Sequence, residues 1–136
     1  VNSIDMTELL LETYKLADRI NESEEVKQYL KLKKEIQNDK EAQRLIREFQ
    51  RKKEVFEDCQ RFGHFHPDYH KAKDEAEAFL KELKKHPKIR AYLDLEERLD
   101  YLLSEVSRTI ARSVSDSIKV PINDPRELRR RRKGCG

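Results

Sequence analysis

Four side chains in one short stretch have the types to do chemistry together: Cys59, His64, His66 and His70. Imidazole and thiolate ligands suit zinc. The spacing argues against a metal site. Pro67 fits the first position of a helix, which puts His66 at its cap, so His66 and His70 need not share a face. Cys59 falls three residues after Phe56, on an apolar stripe, where cysteine packs as a small hydrophobe. The histidines read better as loop residues that cap helix ends or meet a partner. A second candidate is Cys135, in Lys133-Gly134-Cys135-Gly136. An accessible thiol next to Arg and Lys has a lowered pKa and suits a metal ligand or a redox site. An iron–sulfur cluster normally takes four thiolates, so other chains would have to supply the rest. The third is the run Arg129, Arg130, Arg131, Arg132 and Lys133, which could contact phosphates or an acidic partner. No aromatic residue interleaves that run, so base stacking is not indicated.

Enzyme signatures are absent. There is no Gly-rich phosphate loop, no nucleophile elbow and no metalloprotease histidine pair. Carboxylates abound, but 42% of the chain is charged, and most must be solvated.

The elements that position these residues are helices. Apolar residues make up 36% of the 136 residues and recur at helical spacing, which predicts a folded helical domain rather than disorder. A first helix is predicted from Met6 to Asn21, capped by Asp5 or Ser3. Ser23 caps a second helix with Glu24 and Glu25 in its first turn. Asn38-Asp39 marks a new cap or a minor bend. A third helix ends near Phe62, with Gly63 in the left-handed position past its end. Pro67 starts a fourth, and His86-Pro87 starts a fifth that runs from about Lys88 to Ile118. The expected fold is all-α: an antiparallel bundle of about five helices with a long C-terminal helix. Residues 1–120 form the helical domain and 121–136 a basic, flexible tail.

Two patterns bear on assembly. Val26, Tyr29, Leu30, Leu32 and Ile36 recur 63 positions later as Ile89, Tyr92, Leu93, Leu95 and Leu99, which suits a pseudo-symmetric helix pair. The stripe of the last helix continues through Leu102, Leu103, Val106, Ile110 and Val114, past what a compact monomer would cover. It predicts a helical partner, either a second copy or another protein. The alternative is an elongated monomer in which the first helix covers the overhang.

Charge is divided unevenly. The tail carries six basic and two acidic residues, +4, and the body 24 basic and 25 acidic, −1. No apolar run is long enough to span a membrane, and the start has no signal-peptide pattern. Two cysteines make no disulfide framework, so a cytoplasmic protein is expected. Val1 is not a natural start and Gly136 ends abruptly, which suggests a shortened chain.

The loop words resemble a known family. Phe56-Glu57-Asp58, Gln60-Arg61-Phe62-Gly63 and His66-Pro67-Asp68-Tyr69 look like the YlbF/YmcA family of bacterial regulators, and most closely its YlbF-like branch. Leu16-Ala17, Ile20, Ser23-Glu24, Glu105-Val106-Ser107, Ile110, Val114-Ser115 and Lys119-Val120-Pro121 agree, and the resemblance covers about residues 5–121. It implies an all-helical protein without catalytic activity. It further implies assembly with YmcA-like and YaaT-like proteins into a complex that directs messenger-RNA processing by ribonuclease Y and influences competence, sporulation and biofilm formation. By the same resemblance the complex holds 4Fe-4S clusters and a flavin. YlbF-like tails are often rich in cysteine, so the shared cluster-ligand role carries over to Cys135 alone. The isolated chain is expected to be a homo-oligomer. Arg61, Phe62, Gly63, His66, Pro67, Asp68 and Tyr69 are the candidate partner-binding or scaffold corner. The alternative function is a helical RNA-binding module that uses the arginine-rich tail.

Overall fold

The computed structural model describes residues 5–121, and those residues form five α-helices and no strand. They are α1 (Met6–Asn21), α2 (Glu24–Gln37), α3 (Lys40–Arg61), α4 (Tyr69–Leu83) and α5 (Pro87–Val114). The last is the longest, 28 residues, or about 42 Å of helix.

The helix starts are set by short polar side chains that satisfy free backbone N–H groups. Asp5 accepts from the Thr7 and Glu8 amides at 2.9 and 3.4 Å. The Ser23 hydroxyl accepts from the Val26 amide at 3.4 Å while donating to the Ile20 carbonyl at 2.6 Å, so one side chain closes α1 and opens α2. Asp39 caps α3 through the Ala42 amide at 3.1 Å, which makes Asn38-Asp39 a true helix boundary. Pro87 is the first residue of α5, where its missing N–H costs nothing.

Two starts and stops differ from the sequence reading. Pro67 lies in a turn, and α4 begins two residues later with Asp68 as its N-cap residue. The Asp68 amide is already taken by Nδ1 of His66 at 3.2 Å, so His66 stabilises the turn and is not the helix cap. α5 ends at Val114, four residues short of Ile118. Serines draw the backbone out of the helix there. Ser113 Oγ donates to the Ile110 carbonyl at 2.6 Å, and Ser115 Oγ accepts from the Ser117 amide at 3.3 Å.

The chain divides into two compact units, Gln28–Leu93 and Val1–Lys27 with Asp94–Gly136. In the first, α3 and α4 pack as an antiparallel hairpin. Lys52 reaches Glu75 at 3.7 Å, and nearer the connection Phe56 meets Tyr69 with ring centroids 5.5 Å apart. At the open end of the hairpin, Ile36, Ala42, Leu83 and Ile89 are buried together, with Leu45, Phe49, Leu80 and Tyr92 packed around them. α2 and the start of α5 also run antiparallel. Tyr29 and Tyr92, equivalent positions in the 63-residue repeat, stack at 4.9 Å with hydroxyls 2.8 Å apart. Of the five pairs in the echo, this is one whose equivalent residues meet directly, as a local two-fold pairing would place them.

In the second unit, Leu95 and Leu99 are buried. α1 buries no residue at all. No helix among the described residues is long and apolar enough to cross a membrane.

Candidate functional site

The corner between α3 and α4 is built by backbone geometry. Gly63 has φ +84°, and its amide donates to the Gln60 carbonyl at 3.0 Å. That left-handed residue ends α3 after the Phe62 C-cap. The His66 amide then returns to the Gly63 carbonyl at 3.1 Å, and the Tyr69 amide to the His66 carbonyl at 3.0 Å. Two successive turns therefore carry the chain from one helix to the next.

These turns sort the candidate residues into anchors and displayed side chains. Tyr69 is buried with Cys59 and Ala72 against Phe56. It is an anchor, and Cys59 is core, as its stripe position predicted. His64 lies on the Tyr69 ring at 4.7 Å and His70 meets its edge at 5.3 Å. His66 packs on Phe62 at 5.7 Å. Among the described residues, no three His, Cys, Asp or Glu side chains come together as a metal site. Arg61 is exposed and pairs with Asp58 at 3.4 Å, a contact of little energetic weight at the surface. Pro67 and Asp68 are exposed. Phe62 is 76% exposed and Phe65 fully so. Phe65 was not among the residues singled out from sequence. The signal was present: an aromatic between a glycine and a proline has no helical face on which to hide.

A second feature sits at the opposite end of the same hairpin, where the α2–α3 and α4–α5 junctions meet. Lys88 donates to Asp39 at 2.9 Å, and His86 Nε2 lies 3.7 Å from the same carboxylate. The hydrogen bond from Lys88, with that from the Ala42 amide, holds Asp39 down at about 2. The same bond raises the Lys88 ammonium above its ordinary value. Asp39 thus caps α3 and ties it to the start of α5.

The third feature is apolar. Met6, Leu9, Leu10, Leu11 and Tyr14 on α1 are exposed, and so are Leu102, Leu103, Ile110 and Val114 on α5. The stripe predicted to overhang is largely uncovered, with Val106 alone of its residues half-buried, and α1 buries no residue. Residues with this exposure and spacing are what a helical partner covers. The run Arg129–Lys133 and Cys135 lie outside the described residues.

These features define the class: an all-helical protein, capped at its helix starts, whose α1 and α5 present exposed apolar side chains. The comparisons with known proteins make the class specific. The sequence profile described as "Control of competence regulator ComK, YlbF/YmcA" matches residues 9–115. The chain is 37% identical over 123 residues to the regulatory protein YlbF of Bacillus subtilis strain 168, covering 90% of this chain and 83% of that one. It is also similar to the crystal structure of Bacillus subtilis RicA in complex with RicF. There the TM-score is 0.70 at 36% identity, over 85% of this chain and 100% of the other. This chain belongs to the YlbF/YmcA family, regulatory proteins of competence control.

Proposed function

We propose that this chain is a non-catalytic adaptor that assembles with other helical regulators through the apolar faces of α1 and the second half of α5. The carrying observation is the row of exposed apolar side chains on those helices, from Met6 to Tyr14 and from Leu102 to Val114. A leucine taken from water to a packed interface contributes ~1.5–3 kcal/mol. A handful of them can drive association against its entropic costs. The likeness to a chain of the Bacillus subtilis RicA–RicF complex supports a protein partner. In this reading the partners are YmcA-like and YaaT-like proteins, and the assembly directs ribonuclease Y-dependent processing of messenger RNA. Competence, sporulation and biofilm formation follow from that processing. Without a partner the same faces pair two copies of this chain.

A 4Fe-4S cluster shared within the assembly would draw its thiolate here from Cys135, because Cys59 is packed in the hairpin core. Flavin would be held by the assembly.

Co-expression with YmcA-like and YaaT-like proteins tests the reading. The wild-type chain copurifies with them under anaerobic conditions. The triple variant Leu10→Asp, Leu103→Asp, Ile110→Asp elutes alone, with its helical signal largely kept. Undiminished copurification of that variant would move the interface elsewhere, and failure of the wild type to copurify would overturn the adaptor reading.

A further inference from the structure

The described residues are not uniformly mixed in charge. Gln28–Leu93 carries 17 basic and 12 acidic residues, whereas 5–27 and 94–121 together carry seven and 13. Within Gln28–Leu93 the excess is concentrated at one end. Segments 31–44 and 81–90 hold ten basic and four acidic residues, and the rest of the unit holds seven and eight. The two segments are far apart in sequence but are joined in space by the Lys88–Asp39 bond and the shared Ile36, Ala42, Leu83 and Ile89 core.

Six of these cations, Lys33, Lys34, Lys40, Lys81, Lys84 and Arg90, are exposed and, among the described residues, have no carboxylate within ion-pair distance. Lys34 and Lys84 have a local explanation, since cations near helix C-termini complement the helix dipole. Lys40 and Arg90 have none. Each sits in the first turn of a helix, α3 or α5, where a cation opposes the dipole. The first turn of α5 carries no acidic residue at all. Within the described residues nothing offsets that opposition for Arg90, and only Glu41 shares the first turn of α3 with Lys40.

We infer that this end of the hairpin binds the sugar–phosphate backbone of a nucleic acid. An acidic protein would meet the same charge, but a protein interface needs a desolvated apolar centre, and lysine is depleted there. None of the exposed large hydrophobic residues falls within 31–44 or 81–90. Compact ammonium groups on flexible stems suit phosphates, which need charge rather than a fixed fork. No exposed aromatic lies among them, so the surface reads backbone and not bases. The surface shares no residue with the apolar faces of α1 and the second half of α5, and the inference does not rest on the adaptor reading.

The test uses the full chain and a fluorescent 20-nucleotide single-stranded RNA of mixed sequence, followed by anisotropy across a salt series. The wild type binds with a steep salt dependence. The variant Lys40→Gln, Lys81→Gln, Lys84→Gln, Arg90→Gln binds at least tenfold more weakly, and its log–log salt slope is shallower by roughly 3, from ~0.7 per lost phosphate contact. Lys33→Gln with Lys34→Gln gives a smaller loss in the same direction and guards against a folding artefact, as does an unchanged circular dichroism spectrum. DNA of the same sequence binding about as well supports backbone contact. The inference falls if the fourfold variant keeps affinity and slope. It falls too if only replacing Arg129–Lys133 with glutamine removes binding, or if the fourfold variant loses a copurifying protein while still binding RNA.

Discussion

In Gln28–Leu93, apolar side chains find one another: Ile36, Ala42, Leu83 and Ile89 are buried together, and Tyr69 closes the other end of the hairpin with Cys59 and Ala72. In the unit containing α1, Leu95 and Leu99 are buried, but the apolar side chains of α1 itself stay in water, and Leu10 is about half exposed. Both units are made of amphipathic, well-capped helices, so propensity and patterning do not separate them. Packing partners do. α3 has α4 beside it, joined by a connection of seven residues from Phe62 to Asp68, whereas among the described residues nothing buries the stripe of α1. An isolated helix of 16 residues is only marginally stable in water. Burial therefore stabilises α3 and α4 in a way that it does not stabilise α1.

Paired truncations give the largest expected contrast. Ile89 is 3% exposed, and Ile89→Ala should destabilise the hairpin unit by roughly 2–5 kcal/mol through lost burial and a residual cavity. Leu10→Ala removes as many carbon atoms from α1, yet should change the stability of the isolated chain by about 0.5 kcal/mol or less. Urea unfolding followed by circular dichroism reads both. If the two variants lose similar stability, α1 is packed in solution and the contrast between the units is wrong. Repeating Leu10→Ala in the presence of a partner should restore a cost, because the leucine is then buried.

A smaller effect, ~1–2 kcal/mol, is expected for Gly63→Ala. A Cβ at Gly63 would meet nothing within 4 Å, so the cost is the left-handed conformation itself, φ +84°. The loss should appear in the hairpin unit alone. A variant at full stability would mean that the turn relaxes without cost and does not hold the corner.

The helix boundaries were largely legible because caps are local. Asp5, Ser23, Asp39, Gly63 and Pro87 each act within a few residues of themselves, and each behaves as its chemistry predicts. Where a second side chain intervenes, the reading slipped. His66 takes the Asp68 amide and delays α4 past Pro67, and serine hydroxyls end α5 at Val114. The 63-residue echo announced the Tyr29–Tyr92 pair because both partners carry the same pattern. The basic end of the hairpin was invisible for the opposite reason: neither 31–44 nor 81–90 stands out alone, and only the Lys88–Asp39 contact joins them. The corner's residues were found together, but their division into the buried Tyr69 and the displayed Phe62 and Phe65 depends on α3–α4 packing.

The smallest expected effect separates the two units by pH. Asp39, at the junction of α2, α3 and α5, is held down to about 2 from 3.8 by the Lys88 hydrogen bond. The sign follows from proton binding: between those values the unfolded chain takes up a proton that the folded chain refuses, so stability falls as the solution is acidified. The contribution is complete above about pH 4 and disappears as pH falls through about 2. In the other unit Glu12 is also lowered, by Lys15 beside it, but both side chains are exposed on one helix face and tie no two elements together. Acid titration of the thermal midpoint should therefore show a fall between pH 4 and 2 that Asp39→Asn reduces and Glu12→Gln leaves in place. An asparagine keeps the capping oxygen for the Ala42 amide, so the difference isolates the charge at the junction from the cap. If Glu12→Gln flattened the titration instead, α1 would be tied down by its charges, and the helix that buries no residue would have found another way to hold itself.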